Sequence, residues 1–291
     1  MNEHFLRSDL AVECGCQSGE RGVSLTRGEV EGFAVLRVQI KTPEAADATG
    51  RPMGHYVTVE SGPIGALSED ELERVCRIVG VELRLMAERL CGRRISGELS
   101  VLVVGLGNRR STVDAVGPEA VARLSVTRHL DRMDGALFST VGLCRISALE
   151  PGIPAATGLE TAETVKGVVA VTHPDLVVAV DALTARSVER LGTTVQLSDG
   201  GIRPASGVGR GHCALDRESL GVPVISLGVP TAVGSDTLIR DLLQRLNASD
   251  RAPDAALSGE RHLVTLGEID LLAQSAGALL ARAVERAFSI S

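Results

Sequence analysis

Residues 101–118 read VLVVGLGNRRSTVDAVGP, and the rest of the chain is arranged around them. Val101, Leu102, Val103 and Val104 form a continuous apolar run that ends in Gly105 and Gly107. A short run of this kind, closed by glycine, reads as a strand buried on both faces. A polar loop carrying Asn108 and Asp114 follows, and Gly117-Pro118 open a helix with proline at its start. In an open α/β sheet, the loop beyond the carboxyl end of a buried strand is where ligands and chemistry sit. Asp114 lies in that loop.

A second stretch repeats the pattern. Asp175-Leu-Val-Val-Ala-Val-Asp181 is another apolar run that ends on a carboxylate. If the two strands are parallel neighbours, Asp114 and Asp181 face one crevice. Taken singly, each is equally well explained as a strand-end or helix-entry cap. Two such carboxylates at the ends of two buried strands make a candidate catalytic pair.

Working outward, the N-terminal 28 residues are polar and read as irregular. Residues 29–42 alternate apolar and polar and read as a strand, and 55–60 as a second one, with a loop between. A helix is strongly marked over 68–91, with Ser68 as cap and Glu71 completing a capping box. Beyond the central strand, a helix is expected from 117 to 130, a strand within 136–146, and a short helix at 159–166. Further strands fall at 175–181, 193–197 and 223–227, and helices at 235–247 and 266–288. The fold class is therefore α/β: a mostly parallel sheet covered by helices on both faces, with an N-terminal antiparallel annex. No linker divides the chain.

Composition narrows the function. The chain has 291 residues, 44% of them hydrophobic but only 2% aromatic, and a net charge of −7. Few aromatic platforms and an acidic balance argue against a nucleic-acid binder. No run of about eighteen apolar residues is present, so no membrane span is expected, and no secretory leader is read at the N-terminus. The six cysteines are scattered, which fits a reducing compartment. Cys14-Gly-Cys16 lacks both zinc-site spacing and a partner pair, so no metal is expected there.

Gly105-Leu-Gly107 invites a dinucleotide reading, but Arg110 stands where the third glycine belongs and no helix begins directly on the loop. The glycine-rich loop 198–211, SDGGIRPASGVGRG, has the composition of an anion-binding nest but lacks a phosphate-loop ending. Nucleophile-elbow and zincin motifs are both missing from the sequence. Two rivals to chemistry at a bare carboxylate pair stay open: a metal-assisted reaction with the carboxylates as ligands, and a non-enzymatic anion- or nucleotide-binding module.

An ordered set of short motifs carries a resemblance. It comprises Arg7-Ser-Asp-Leu-Ala-Val-Glu13, Val104-Gly-Leu-Gly-Asn108, Asp114-Ala-Val-Gly-Pro118, Thr127-Arg-His-Leu130, Pro151-Gly-Ile153 and Thr157-Gly-Leu-Glu-Thr161. It continues through Val180-Asp-Ala-Leu183, Ala185-Arg-Ser187, Ser206-Gly-Val-Gly209, Gly221-Val-Pro-Val-Ile225 and Gly228-Val-Pro-Thr231. The set resembles the germination proteases of spore-forming Firmicutes. The resemblance implies an atypical aspartic-type endopeptidase with a sheet similar to that of hydrogenase maturation proteases. Its substrates are the α/β-type small acid-soluble spore proteins, cleaved early in germination in the cytoplasm of the forespore and spore core. The essential aspartates fall on Asp114 and Asp181.

The same resemblance implies a zymogen that processes itself between Asp9 and Leu10, with residues 1–9 as propeptide and 10–291 as a single α/β peptidase domain, assembled as a homotetramer. The expected substrate-binding residues are Gly105, Gly107, Asn108, Ser206 and Gly207, with Asn108 and the amides around Gly105 and Gly107 polarising the carbonyl of the cut bond. No cofactor is expected. Two departures stand out: Arg203-Pro-Ala-Ser-Gly-Val-Gly-Arg210 replaces a loop that in the family begins with His and ends with Asn, and Arg109-Arg-Ser-Thr-Val113 replaces an aromatic residue followed by Thr-Pro.

Overall fold

A computed structural model describes residues 8–13, 22–203, 213–246 and 262–290. Its strands are β1 (Val23–Val30), β2 (Phe33–Ile40), β3 (Gly54–Glu60), β4 (Ser100–Gly105), β5 (Arg145–Leu149), β6 (Leu176–Ala185), β7 (Thr194–Ser198), β8 (Val224–Gly234) and β9 (Leu263–Thr265). They form one sheet in the order β1-β2-β3-β7-β8-β6-β4-β5, with β9 added on β8. The contiguous strands β8, β6, β4 and β5 are parallel. From β8 outward through β7, β3, β2 and β1 every pairing is antiparallel, as is that of β9. The expected parallel sheet is thus the half that holds Asp114 and Asp181, and the sheet as a whole is mixed.

Side-chain alternation explains why the parallel half buries both faces. Val101, Val103, Val178, Val180, Ile225 and Leu227 point to one core. There they meet the helix Glu69–Cys91 through Val75, Val79 and Leu83, and the C-terminal helix Ile269–Ala287 through Ala276, Leu280 and Ala283. Leu102, Val104, Val177 and Ala179 point to the opposite core, closed by Val165 and Val169 of the helix Thr161–Thr172. Period two with apolar residues at every position therefore sandwiches β4 and β6 between helical layers. The capping box at Ser68 forms as the sequence predicts, with the Ser68 side chain accepting from Glu71 N–H and the Glu71 carboxylate accepting from Ser68 N–H.

Several local expectations change. The strand read at 29–42 is the second half of a hairpin. Its turn, Glu31-Gly32, has φ of 51° and 87°, the left-handed pair that tight hairpins use, and β1 lies mostly within residues 1–28, read as irregular, with its last two residues in the stretch read as a strand. The helix Pro43–Thr49 replaces the loop expected there, capped by Thr42, whose side chain accepts from Ala45 N–H. The strand expected within 136–146 is a helix, Gly135–Val141, started by Asp134, whose carboxylate accepts from Ala136 and Leu137 N–H. Only Phe138 of that helix is buried, so its apolar composition imitated a strand. The helix expected from 117 to 130 is two, Val116–Arg123 and Arg128–Met133.

Candidate active site

The loop after β4 is built by its own backbone. Leu106 N–H extends the ladder to Val180 O at 2.8 Å. Asn108 N–H then donates to Asp114 O (2.9 Å), Ser111 N–H to Asn108 O (2.9 Å) and Asp114 N–H to Ser111 O (2.8 Å). The Asn108 side-chain oxygen accepts from Arg110 N–H at 3.0 Å. Thr231 of β8 ties the loop down by donating to Val113 O at 2.7 Å. The loop thus closes on itself and delivers Asp114 beside the start of the next helix.

The glycines serve approach rather than phosphate binding. A Cβ at Gly105 would overlap the backbone of Gly117, and one at Gly117 would overlap Leu106 and Val180. The helix Val116–Arg123 can pass this close to the β4–β6 seam only because both residues lack a side chain. Gly107 has φ +113°, and a Cβ there would collide with the Asp114 carbonyl.

Asp181 sits on β6, whose strand continues past it to Ala185. Its register partner on β8 is Gly228, where a Cβ would press on Asp181 O and Leu183. The Asp181 side chain accepts from Ala182 N–H at 2.9 Å and is 7% exposed. Burial pushes its carboxyl well above the usual range, helped by the nearby charges of Asp114 and Asp9. Asp114 is half-buried, and burial pushes it up to about 6 against a weaker opposing bond from Asn108 N–H. The parallel pairing of β4 with β6 therefore brings the two carboxyls into one electrostatic unit, as the sequence reading required.

Residues 8–13 lie in the same place. Asp9 N–H donates to Thr184 O (2.7 Å), while its carboxylate accepts from the Thr184 N–H (2.8 Å) and hydroxyl (2.6 Å). Arg51 stands 4.0 Å from the other carboxylate oxygen. Leu10 is fully buried among Leu183, Ala185, Leu191 and Val233, and Ala11 packs with Val38 and Tyr56. The Glu13 carboxylate accepts from Arg186 N–H (2.7 Å) and Ser187 N–H (3.1 Å), and Ser8 donates its hydroxyl to it as well. Gln196 of β7 spans the segment: its Nε2 donates to Asp9 O at 2.6 Å and its Oε1 accepts from Ala11 N–H at 2.7 Å.

Of the residues singled out in the sequence, Asp114, Asp181, Asp9 and Leu10 converge, and Gly105, Gly107 and Asn108 shape the loop beside them. Ser206, Gly207 and the Cys14/Cys16 pair lie outside the described residues. Among the described residues no group of three or more His, Cys, Asp or Glu is placed to hold a metal ion, and no helix is long and apolar enough to cross a membrane. Sequence reasoning missed Thr184, Gln196, Arg51 and the paired amides of Arg186 and Ser187. Thr194 and Gln196 of the strand expected at 193–197, and Ser198 just beyond it, are buried in the fold, and Gln196 hydrogen-bonds to residues 9 and 11.

Comparison with known proteins identifies the family of the chain. Residues 7–247 match the family model described as germination protease. The germination protease of Caldanaerobacter subterraneus subsp. tengcongensis is 41% identical over 244 residues, 83% of this chain and 73% of the relative. That of Bacillus subtilis is 39% identical over 250 residues, 83% of this chain and 67% of the relative. That of Priestia megaterium is 38% identical over 254 residues, 84% of this chain and 67% of the relative.

Proposed function

This chain belongs to the germination protease family, and from that membership we propose an aspartic-type endopeptidase, made as a self-processing zymogen, that opens the degradation of α/β-type small acid-soluble spore proteins. Its catalytic pair is Asp114 and Asp181, the peptidase domain is 10–291, and the propeptide is 1–9. The homotetramer and the spore-core location implied by the family resemblance belong to the same proposal. One observation carries the reading: the Asp9 carbonyl, before the proposed cut, is held by Gln196, which shares a register line with Asp181 across Gly228, and the Asp181 carboxyl is pushed up by burial and by the charges of Asp114 and Asp9.

Hydrolysis needs one carboxylate and one carboxylic acid. Asp114, the more exposed and pushed up to about 6, is the ionised partner near neutral pH and takes a proton from the attacking water. Asp181, deeply buried and pushed well above the ordinary carboxylate value by burial and by the charges of Asp114 and Asp9, keeps its proton and hydrogen-bonds to the reacting carbonyl. The water oxygen bonds to the Asp9 carbonyl carbon. As the C–N bond breaks, the pair returns a proton to the Leu10 nitrogen, leaving an Asp9 carboxylate and a new amino terminus. The two titrations belong to the pair, so the rate follows a bell, with its acid limb near 6.

The test is intact mass of the purified full chain at pH 6.5, with Asp114→Asn and Asp181→Asn beside the wild type. Loss of residues 1–9 in the wild type alone supports the pair. Equal processing in all three removes both aspartates from the mechanism.

A further inference from the structure

We infer that Gln196 is a catalytic residue of this site, gripping the Asp9–Leu10 bond on both sides and polarising the carbonyl that water attacks. The inference rests on the proposed cleavage between Asp9 and Leu10 and names a group that the carboxylate pair alone does not supply.

The grip has a fixed sense. Ala11 N–H can only donate and Asp9 C=O can only accept, so the side-chain amide must present Oε1 to the first and Nε2 to the second, as it does at 2.7 and 2.6 Å. Asp9 O and Ala11 N are the groups two residues apart that a neighbouring strand would engage, and one glutamine takes the place of that strand. On the far side, Thr184 holds both the Asp9 N–H and the Asp9 carboxylate. Thr184 stands three positions after Asp181 on the same strand. The bond is therefore suspended between β7, which holds its oxygen, and β6, which holds the residue before the cut and supplies the acid.

Placement of Gln196 makes the donor effective. It is 6% exposed and stands on β7 between Val195 and Leu197, which anchor the strand to the main core. A donor fixed this way needs no reorganisation when negative charge develops on the carbonyl oxygen, and the low-dielectric surroundings strengthen its effect. Gln196 thus holds the Asp9 carbonyl from β7, and Asp181 lies in register with it on β6, with only Gly228 of β8 between them.

The experiment uses the full chain and reads two quantities: the first-order rate of cleavage between Asp9 and Leu10 by intact mass, and deuterium uptake by the segment that contains residues 8–13. Gln196→Glu keeps an acceptor for Ala11 N–H but loses the donor to Asp9 C=O. Gln196→Met keeps the length and loses both. With circular dichroism unchanged, Gln196→Glu is expected to retain wild-type uptake while cleavage falls by roughly 100-fold or more, and Gln196→Met to fall at least as far. Cleavage within about threefold of wild type in either folded variant overturns the inference, as does a rate loss matched by full exchange of the segment, which would make Gln196 a positioning residue. A wild type that never loses residues 1–9, or an Asp181→Asn variant that loses them at full rate, breaks the underlying protease reading instead.

Discussion

The parallel and antiparallel halves of the sheet contribute different things to one site. The parallel half, β8-β6-β4-β5, supplies both acids, Asp114 from the loop after β4 and Asp181 from within β6, beside strands wrapped in apolar side chains. The antiparallel half adds a second set of contacts to residues 8–13, beside those that Thr184 and the Leu10 pocket supply from β6 and β8. Gln196 comes from β7, Tyr56 from β3 and Val38 from β2, and Arg51 from the turn that leads into β3. Chemistry needs groups whose protonation is perturbed, which deep burial between helices provides. Recognition needs hydrogen-bonding groups and pockets laid along an extended peptide, which a one-sided antiparallel surface provides. The two halves meet at β8 and at the extension of β6 past Asp181, and there residues 8–13 lie.

If that division holds, the largest effect comes from the parallel half. Asp181→Asn is expected to lower the self-processing rate by about 10³-fold or more, on the order of 4 kcal/mol in the barrier, measured by intact mass. The same change should raise thermal stability at pH 7–8. A carboxyl whose folded pKa is raised binds its proton more tightly in the native state than in the unfolded chain. Unfolding free energy therefore falls as pH climbs from about 4 through the folded value. The asparagine variant escapes that loss, so its advantage should shrink to nothing as pH approaches 4 in a series of melting curves.

Next comes the loop that carries Asp114. Gly107→Ala forces a side chain into a left-handed position and onto the Asp114 carbonyl, at a cost of about 3 kcal/mol in a urea titration. Gly221 has φ +76° with open space around it, so Gly221→Ala should cost only about 1 kcal/mol. Equal costs would mean that the close approach at Gly107 is not what fixes the loop.

The contacts along residues 8–13 should give smaller numbers. Leu10→Ala empties a fully buried pocket and removes roughly 2 kcal/mol of docking, read as faster deuterium uptake and a slower cut by about 10-fold to 30-fold. Arg51→Ala removes an ion pair at 4.0 Å and should change the rate by about threefold or less, because such pairs are worth under about 1 kcal/mol. A larger loss for Arg51→Ala than for Leu10→Ala would reverse the ranking of charge and burial along the segment.

The same division separates what could be read in the sequence from what could not. β4 and β6 were legible because runs such as Val101-Leu-Val-Val104 admit almost no reading except a strand covered on both faces, and the acids at their ends followed. The helix Glu69–Cys91 was legible from its capping box. The hairpin of β1 and β2 was hidden because its turn is Glu31-Gly32, without the asparagine or aspartate that usually marks such a turn. Gln196 was hidden for a different reason. What buries it is a segment nearly two hundred positions away in the chain, and no local periodicity reports such a lid. Asp9 and Leu10 were reached through the resemblance, while Thr184 and the Arg186 and Ser187 amides required the fold.

The shape of residues 8–13 carries one more consequence. The chain runs along Thr184 at Asp9, then curls through a 3-10 turn at Ala11–Glu13, which lets the Ser8 hydroxyl reach the Glu13 carboxylate. A target seated in the same way must adopt that bent form, and a motif locked inside a long helix or a paired strand has the right letters in the wrong shape. Selection then acts on the conformational freedom of the target as well as on its sequence. A well-folded bystander carrying the motif is spared by its own stability, and the free energy needed to unwind its cut site appears directly as a slower cut.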